Sequence, residues 1–137
     1  MDFKIEKFNA YDDERGRLVV FLRNRDLDKK TKRFGQIYFV TFEKKGVVRG
    51  NHYHKKIREW FGIVNGKVKV VLVDLKTNER KEMILNANSK KYLRLEIGPN
   101  IAHGFKSLSD SVSLLNYTDK EWLATDVFPM ELIKKTK

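Results

Sequence analysis

The chain has 137 residues, of which 41% are hydrophobic and 34% charged, and its net charge is +11 at pH 7. This length is enough for one buried core but not for two ordinary domains, so we predict a single domain over residues 1–137. The absence of cysteine excludes disulfides, thiolate metal sites and cysteine nucleophiles. No apolar run reaches the roughly 20 residues that span a membrane, and residues 1–4 lack a signal-peptide core. We therefore expect a cytoplasmic protein without membrane contact.

The positive charge favours polyanionic partners, among them nucleic acids and nucleotide phosphates. However, the lysines occur as scattered pairs and form no single block, and the sequence contains no nucleic-acid-binding module. A solvated lysine-rich surface is the simpler interpretation. We therefore disfavour a nucleic-acid partner.

Strand-forming patterns follow one another along the chain. β-Branched and aromatic residues predict strands at residues 3–8, 17–23, 36–43, 60–64, 67–75, 80–85, 92–97, 102–108 and 112–117. Asn65-Gly66 predicts a type I′ hairpin between the fourth and fifth of these strands, and residues 76–79 predict a second turn. The tail from residue 119 has space for a short helix or a final strand. So many short strands indicate a sandwich or barrel, and a jelly roll protects their edges.

Two of the three histidines stand two residues apart, at His52 and His54. On a strand this spacing places both imidazoles on one face. Glu59 lies an odd number of residues beyond His54, so residues 55–58 must bend to let Glu59 return on the following strand. The third histidine, His103, follows a turn in which Asn100 can adopt the left-handed conformation.

These side chains allow two kinds of chemistry. Histidine nitrogens and one carboxylate suit Zn, Fe, Mn or Ni, with positions left open for substrate or water. The same groups can act as acid and base without a metal, because histidine titrates near neutral pH. Residue types alone leave both alternatives open.

The spacing of the two histidines also matches a family pattern. Gly46, His52, His54, Glu59 and Gly66 fill every fixed position of G-x5-H-x-H-x4-E-x6-G, and so resemble the first cupin motif. The second cupin motif is incomplete, and its histidine corresponds to His103. The resemblance implies an all-β cupin fold, a double-stranded β-helix or jelly-roll barrel.

Two groups of nucleotide-deoxysugar enzymes resemble the chain more closely. Residues 13–18, 37–39, 48–53, 73–75 and 101–105 are similar to dTDP-4-dehydrorhamnose 3,5-epimerases. Those enzymes have Gln where His54 stands and use a tyrosine acid at the position of Leu115, so that Tyr38 or Tyr117 would have to substitute. Residues 49–55, Arg-Gly-Asn-His-Tyr-His-Lys, are instead similar to the R-G-x-H-x-H-K signature of dTDP-4-dehydro-6-deoxyglucose 3,4-ketoisomerases. We prefer this second group, although Glu59 stands where its members carry Gln.

The resemblance implies a nucleotide-sugar isomerase of deoxysugar and surface-polysaccharide biosynthesis, most specifically a 3,4-ketoisomerase that requires no cofactor. It further implies a homodimer. The alternatives are a 3,5-epimerase-like enzyme and a metal-binding cupin or sugar-binding module without isomerase activity. The expected catalytic residues are His52, His54 and Tyr38. The expected substrate-binding residues are Arg49, Asn51, His103 and Trp60. In the metal alternative the ligands of Zn, Mn, Ni or Fe are His52, His54, Glu59 and His103.

Overall fold

The computed structural model describes residues 1–27 and 34–135. Nearly all regular structure in these residues is antiparallel β-strand, with single-turn 3-10 helices at Asn24–Asp26 and Ala124–Asp126. The strands are β1 (Phe3–Phe8), β2 (Tyr11–Asp13), β3 (Gly16–Leu18), β4 (Gln36–Phe42), β5 (Val48–Tyr53), β6 (Glu59–Asn65), β7 (Lys67–Asp74), β8 (Arg80–Asn86), β9 (Tyr92–Ile97), β10 (Ile101–Ser107), β11 (Val112–Thr118) and β12 (Phe128–Pro129).

Ten of these strands form two five-stranded sheets that enclose one core. The first sheet has the order β1-β9-β6-β11-β4, and the second has the order β12-β5-β10-β7-β8. Alternate side chains of both sheets point inward and bury their apolar surface together, among them Phe61, Ile63, Val70, Leu72 and Leu95. This arrangement is the jelly roll of a cupin and confirms the expected fold class.

The predicted Asn65-Gly66 hairpin is wrong. β6 pairs with β9 and β11, whereas β7 pairs with β10 and β8, so the connection leads from one sheet to the other. Gly66 has a φ of 83°, but Asn65 does not have the positive φ that a type I′ turn requires. Gly66 is needed here because a Cβ atom would collide with the carbonyl oxygen of Ser111.

The predicted strand at residues 17–23 is only partly correct. β3 ends at Leu18, and the following segment crosses the outer face of the first sheet. A Cβ atom at Gly62 would lie 2.5 Å from the ring of Phe21, and buried Arg94 donates to the Phe21 carbonyl at 2.7 Å. Val19, Phe21 and Leu22 are partly buried, so this segment covers the sheet without joining its hydrogen-bond ladder, whereas Val20 is exposed.

Other expectations are confirmed. Residues 76–79 form the turn of a true hairpin between β7 and β8, with Asn78 at a φ of 61°. Asn100 adopts the left-handed conformation, with a φ of 66°. The tail contains both a 3-10 turn and the short strand β12, which pairs with β5. No helix within the described residues is long and apolar enough to cross a membrane.

Candidate active site

The three histidines meet inside the barrel, at the end of β5. His52 lies on β5, His54 follows that strand directly, and His103 stands opposite His52 on the neighbouring β10. The ring centroid of His52 is 5.1 Å from that of His54 and 4.7 Å from that of His103. One nitrogen of each ring lies within 4.8 Å of the others. The spacing of two residues therefore places the first pair as expected, and strand pairing adds the third ring.

Glu59 joins this cluster from the first position of β6. The chain bends between β5 and β6 as predicted, and the carboxylate returns to face the histidines. Its Oε2 atom lies 3.6 Å from Nε2 of His54 and 3.4 Å from Nε2 of His103. This oxygen is fully buried and has no hydrogen-bond partner among the described residues. A carboxyl group is thus held in the core beside two imidazoles.

Backbone carbonyl groups orient two of the imidazoles. Nδ1 of His54 lies 2.6 Å from the carbonyl oxygen of Asp126, and Nδ1 of His103 lies 3.3 Å from that of Ile101. A carbonyl oxygen only accepts, so each Nδ1 must carry a proton to form these bonds. In the neutral rings Nε2 is then unprotonated, and in both residues it faces Glu59.

Burial shifts the pKa values of Glu59, His52 and His103 towards their neutral forms. Loss of hydration raises the pKa of Glu59 to about 8, reinforced by the charges of Asp119 and Asp126. The amide of Asn116 offsets part of this rise, although it makes no hydrogen bond of ordinary geometry. Burial and the neighbouring His54 lower the pKa of His52 to about 4, and burial lowers the pKa of His103 well below its usual range.

A cavity of about 170 Å³ opens onto the cluster. Its lining consists of Tyr38, Val40, Phe42, Arg49, Gly50, His52, Glu59, Phe61, His103, Phe105 and Leu114. Tyr38 points inward from β4, and burial together with the charge of Glu59 raises its pKa, so the phenol stays protonated. Arg49 is exposed at the edge of the cavity, where its Nε donates to the Thr41 carbonyl at 3.1 Å. The lining thus combines apolar walls with a few convergent polar groups, as in small-molecule sites.

Three of the sequence-predicted residues lie elsewhere. Trp60 faces the outer side of the first sheet, where its indole donates to Glu96 at 3.0 Å and its ring packs against Tyr117. Asn51 is one residue from His52 and points away from the cavity, and its side chain binds the C-terminal segment. His54 lies behind the cavity lining, in contact with Glu59 rather than with the open space.

Sequence reasoning missed two buried polar residues of the site, Asn116 and Asp126. Asn116 reaches the Glu59 carboxyl from β11, and Asp126 contacts His54 from the tail. Neither belongs to a recognisable motif. Asn116 could have been noticed only as a polar residue between apolar residues of a predicted strand. The sequence offers no comparable sign that Asp126 belongs to the site.

The donor set also fits a divalent metal ion. Two ligand atoms bound to a tetrahedral metal at about 2.0–2.1 Å lie about 3.3 Å apart, close to the distances from Glu59 to its two imidazole neighbours. The orphaned carboxyl oxygen and the unprotonated Nε2 atoms are suitable ligands. The nitrogen atoms of the three histidines lie up to 4.8 Å apart, so the three rings would have to move closer together to bind one ion.

The Glu59 carboxyl predicts a specific pH dependence of stability. Its folded-state pKa is about 8, against an ordinary value of 4.5, so its stabilising contribution is complete below about pH 4.5 and is lost as the pH rises towards 8. We expect the free energy of unfolding of metal-free wild type to fall relative to Glu59→Gln by roughly 1 kcal/mol per pH unit between pH 5 and 8.

Urea denaturation at several pH values measures this difference. Glu131→Gln, at an exposed position, is the matched control and should follow wild type at every pH. Parallel stability profiles for wild type and Glu59→Gln would show that the carboxyl is ionised in the folded protein.

Comparisons with known proteins identify the family of the chain. The family model of FdtA, described as WxcM-like, C-terminal, matches residues 1–129. A TDP-4-oxo-6-deoxy-alpha-D-glucose-3,4-oxoisomerase of Aneurinibacillus thermoaerophilus is 27% identical over 126 residues, which cover 92% of this chain and 85% of that protein.

Two solved structures show the same architecture. A mutant of the 3,4-ketoisomerase QdtA from Thermoanaerobacterium thermosaccharolyticum, in complex with TDP-4-keto-6-deoxyglucose, superposes with a TM-score of 0.76 at 25% identity, covering 93% of this chain and 86% of that one. A dTDP-4-dehydrorhamnose 3,5-epimerase from Bacillus anthracis has a TM-score of 0.82 at 21% identity, with coverages of 98% and 81%, and shares the fold. With the family model matching nearly its whole length, the chain belongs to the FdtA family.

Proposed function

We propose that this protein is a 3,4-ketoisomerase of a TDP-linked 4-keto-6-deoxyhexose. The observation that carries the proposal is the cavity in which His52, Tyr38 and Arg49 converge beside a buried histidine–glutamate cluster. The relationship to ketoisomerases that act on, or are bound to, such sugars supports this choice of substrate. A 3,5-epimerase or a protein that binds polyanions through its positive charge would explain the paired histidines less well.

The reaction moves a ketone from C4 to C3 of the sugar. A base removes the C3 proton, which is acidic because it lies α to the C4 ketone, and an enediolate forms. A proton is then added to C4. In the same reaction O3 loses its hydroxyl proton to become the ketone oxygen, and O4 gains a proton to become a hydroxyl group. Atoms and charge balance without an oxidant, so the protein has to supply a base, an acid and stabilisation of the developing oxyanion.

His52 is suited to be the base because it lines the cavity and its lowered pKa keeps it neutral at pH 7. Tyr38 stays protonated and is suited to donate a hydrogen bond to the ketone oxygen, and so to stabilise the enediolate. His54 lies behind His52 and completes the proposed proton shuttle. Arg49 at the cavity edge is suited to pair with the diphosphate, since its guanidinium can bind phosphate oxygens in a bidentate manner.

Incubation with TDP-4-keto-6-deoxyglucose in D2O, followed by NMR, tests the proposal. We expect the ketone to migrate to C3 and deuterium to enter C4. His52→Asn should lower kcat by about 10²- to 10⁴-fold, the usual contribution of a general base, and Tyr38→Phe should also lower it. Tyr11→Phe, at an exposed tyrosine, is the matched control for the loss of a phenol.

Two other outcomes of this experiment would count against the proposal. Deuterium at C3 and C5 with the ketone retained at C4 would identify a 3,5-epimerase. Absence of both ketone migration and deuterium uptake would reject catalysis on this substrate and favour a binding module.

A metal-dependent cupin is the second candidate, favoured by the orphaned Glu59 oxygen between two unprotonated imidazole nitrogens. His52, His54, His103 and Glu59 would hold Zn, Mn, Ni or Fe, which would act as a Lewis acid towards the ketone. The ketoisomerase proposal requires no metal, because His52 and Tyr38 already supply base and acid.

Metal analysis separates these candidates. For protein purified without chelator, we expect dialysis against EDTA to leave the rate of ketone migration unchanged. Near-stoichiometric metal by elemental analysis, with activity lost on its removal and regained on its return, would establish the metal-dependent function. Glu59→Gln should then lose the metal, whereas the exposed control Glu131→Gln should retain it.

The cellular setting belongs to the same proposal. A nucleotide-linked sugar carries a diphosphate and does not cross membranes unaided, so its isomerase is expected in the cytoplasm. The 3-keto-6-deoxy product is suited to further modification to deoxysugars, so we propose a role in deoxysugar biosynthesis for surface polysaccharides.

A homodimer completes the proposal. On the outer face of the first sheet Ile37 is 57% exposed and Phe39 is 75% exposed, beside half-buried Leu115. A larger cavity of about 380 Å³ lies on this same face, with a mostly apolar lining that includes Phe21 and Phe34. Such a patch on one face of a sheet is typical of an interface, and a second copy of the chain is the occupant that the family relationship supports.

Sedimentation velocity tests this interface. We expect wild type to sediment as a dimer and Phe39→Lys to shift it towards monomer, because a buried lysine would face the partner's apolar surface. Ile84→Lys is the matched control, since Ile84 is 54% exposed on β8 of the other sheet. A monomeric wild type at micromolar concentration would contradict the proposal.

A further inference from the structure

The C-terminal segment, residues 124–133, holds the strand end that carries the paired histidines. The carboxylate of Asp126 accepts hydrogen bonds from the backbone N–H groups of Lys55, at 2.8 Å, and Lys56, at 3.2 Å. The carbonyl oxygen of the same residue lies 2.6 Å from Nδ1 of His54. One buried residue of the tail thus contacts His54 and both residues that follow it.

The contact continues along β5 towards its interior. In β12, Phe128 pairs with Tyr53 and Pro129 pairs with His52, and the rings of Phe128 and Tyr53 stack with centroids 5.2 Å apart. The segment therefore follows the histidine strand residue by residue.

Asn51 secures the end of this segment. Its Oδ1 accepts from the backbone N–H groups of Leu132 and Ile133, each at 3.1 Å, and its Nδ2 donates to the Ile133 carbonyl at 2.9 Å. The backbone of Asn51 is left-handed, with a φ of 56°, and its carbonyl accepts from the N–H of Met130 at 2.8 Å. The family match ends at residue 129, so the hydrogen bonds to residues 130–133 lie beyond the region that the family model describes.

We infer that residues 124–133 form a clasp that fixes the orientation and tautomer of His54, with Asp126 and Asn51 as its positioning residues. The inference rests on the proposed function for its kinetic consequence, but its structural content is independent of it. Because the Asp126 carbonyl can only accept, the clasp selects the tautomer of His54 that carries its proton on Nδ1 and turns an unprotonated Nε2 towards Glu59. Asn51 acts on catalysis through this clasp and not through the substrate.

The geometry of Asp126 explains why a carboxylate is needed. Two neighbouring N–H groups point at two separate oxygens, and each bond to a charged acceptor is stronger than one to a neutral acceptor. An asparagine would offer one acceptor and turn a second donor against an N–H. Loss of either bond would loosen the carbonyl that orients His54.

The decisive measurement is the long-range ¹H–¹⁵N correlation spectrum of the histidine side chains in chelator-treated, substrate-free protein. We expect His54 of wild type to be the Nδ1–H tautomer, and Asp126→Asn and Asn51→Gly to show a mixture of tautomers. Glycine tolerates the positive φ at position 51, so this variant removes the amide without backbone strain. Asn78→Gly is the matched control, since Asn78 has a φ of 61° in an exposed turn and should leave the spectrum unchanged.

Kinetics provide the second readout. In Asn51→Gly, misorientation of His54 should lower kcat on the order of tenfold. The KM for the nucleotide sugar should stay unchanged. A raised KM with an unaltered His54 tautomer would instead make Asn51 a substrate-binding residue and overturn the inference.

Failure of the clasp can be distinguished from failure of the proposed function. An Nε2–H tautomer of His54 in wild type would overturn the clasp even if the variants fail to fold. If wild type has no ketoisomerase activity but shows the Nδ1–H tautomer, which the variants lose, the clasp stands and the proposed substrate is wrong.

Discussion

The constraint on which the site depends is a buried carboxyl group, that of Glu59, whose Oε2 atom has no hydrogen-bond partner among the described residues. Glu59 is 3% exposed, and an isolated carboxylate in such a place would cost several kcal/mol of solvation. The protein has two ways to avoid this cost, which are to keep the group protonated or to pair it with a cation. The inward-facing imidazoles of His54 and His103 are compatible with either, because an unprotonated Nε2 can accept a hydrogen bond from the protonated carboxyl or share a metal ion with it. Whichever applies, the cluster carries little net charge, and the cavity beside it stays suited to a neutral ketone.

The site was predictable where its geometry follows from local spacing. His52 and His54 share a face because strands have a period of two, and the odd step to Glu59 required the bend that the structure contains. Asn100 could be assigned a left-handed backbone from its residue type. These inferences involve only neighbours in sequence, for which the backbone sets the relative direction of side chains.

Predictions failed where the partner of a residue is distant in sequence. Asn65-Gly66 has the composition of a hairpin, but the strands on either side of it find partners in different sheets, and no local pattern encodes that choice. Trp60 adjoins Glu59, so it must point to the opposite face of β6, and only the position of the core decides that this face is the outer one. The family resemblance implied that Asn51 binds substrate, yet its side-chain amide donates to the carbonyl of Ile133, 82 positions away. Asp126 lies within the tail, where the sequence has no pattern that predicts a contact with His54.

The edge strand β4 connects the outer surface of the barrel to the chemistry within it. Alternation along this strand sends Tyr38 into the cavity and its neighbours Ile37 and Phe39 to the exposed face. In the described part of the chain β4 is paired on one side only, with β11, so its other edge has no strand partner to hold it. Burial of Ile37 and Phe39 against a second copy would hold the strand, and with it the phenol that faces the ketone. The apolar surface proposed to contact a second copy and the side chain proposed to stabilise the enediolate therefore belong to the same three consecutive residues, 37–39.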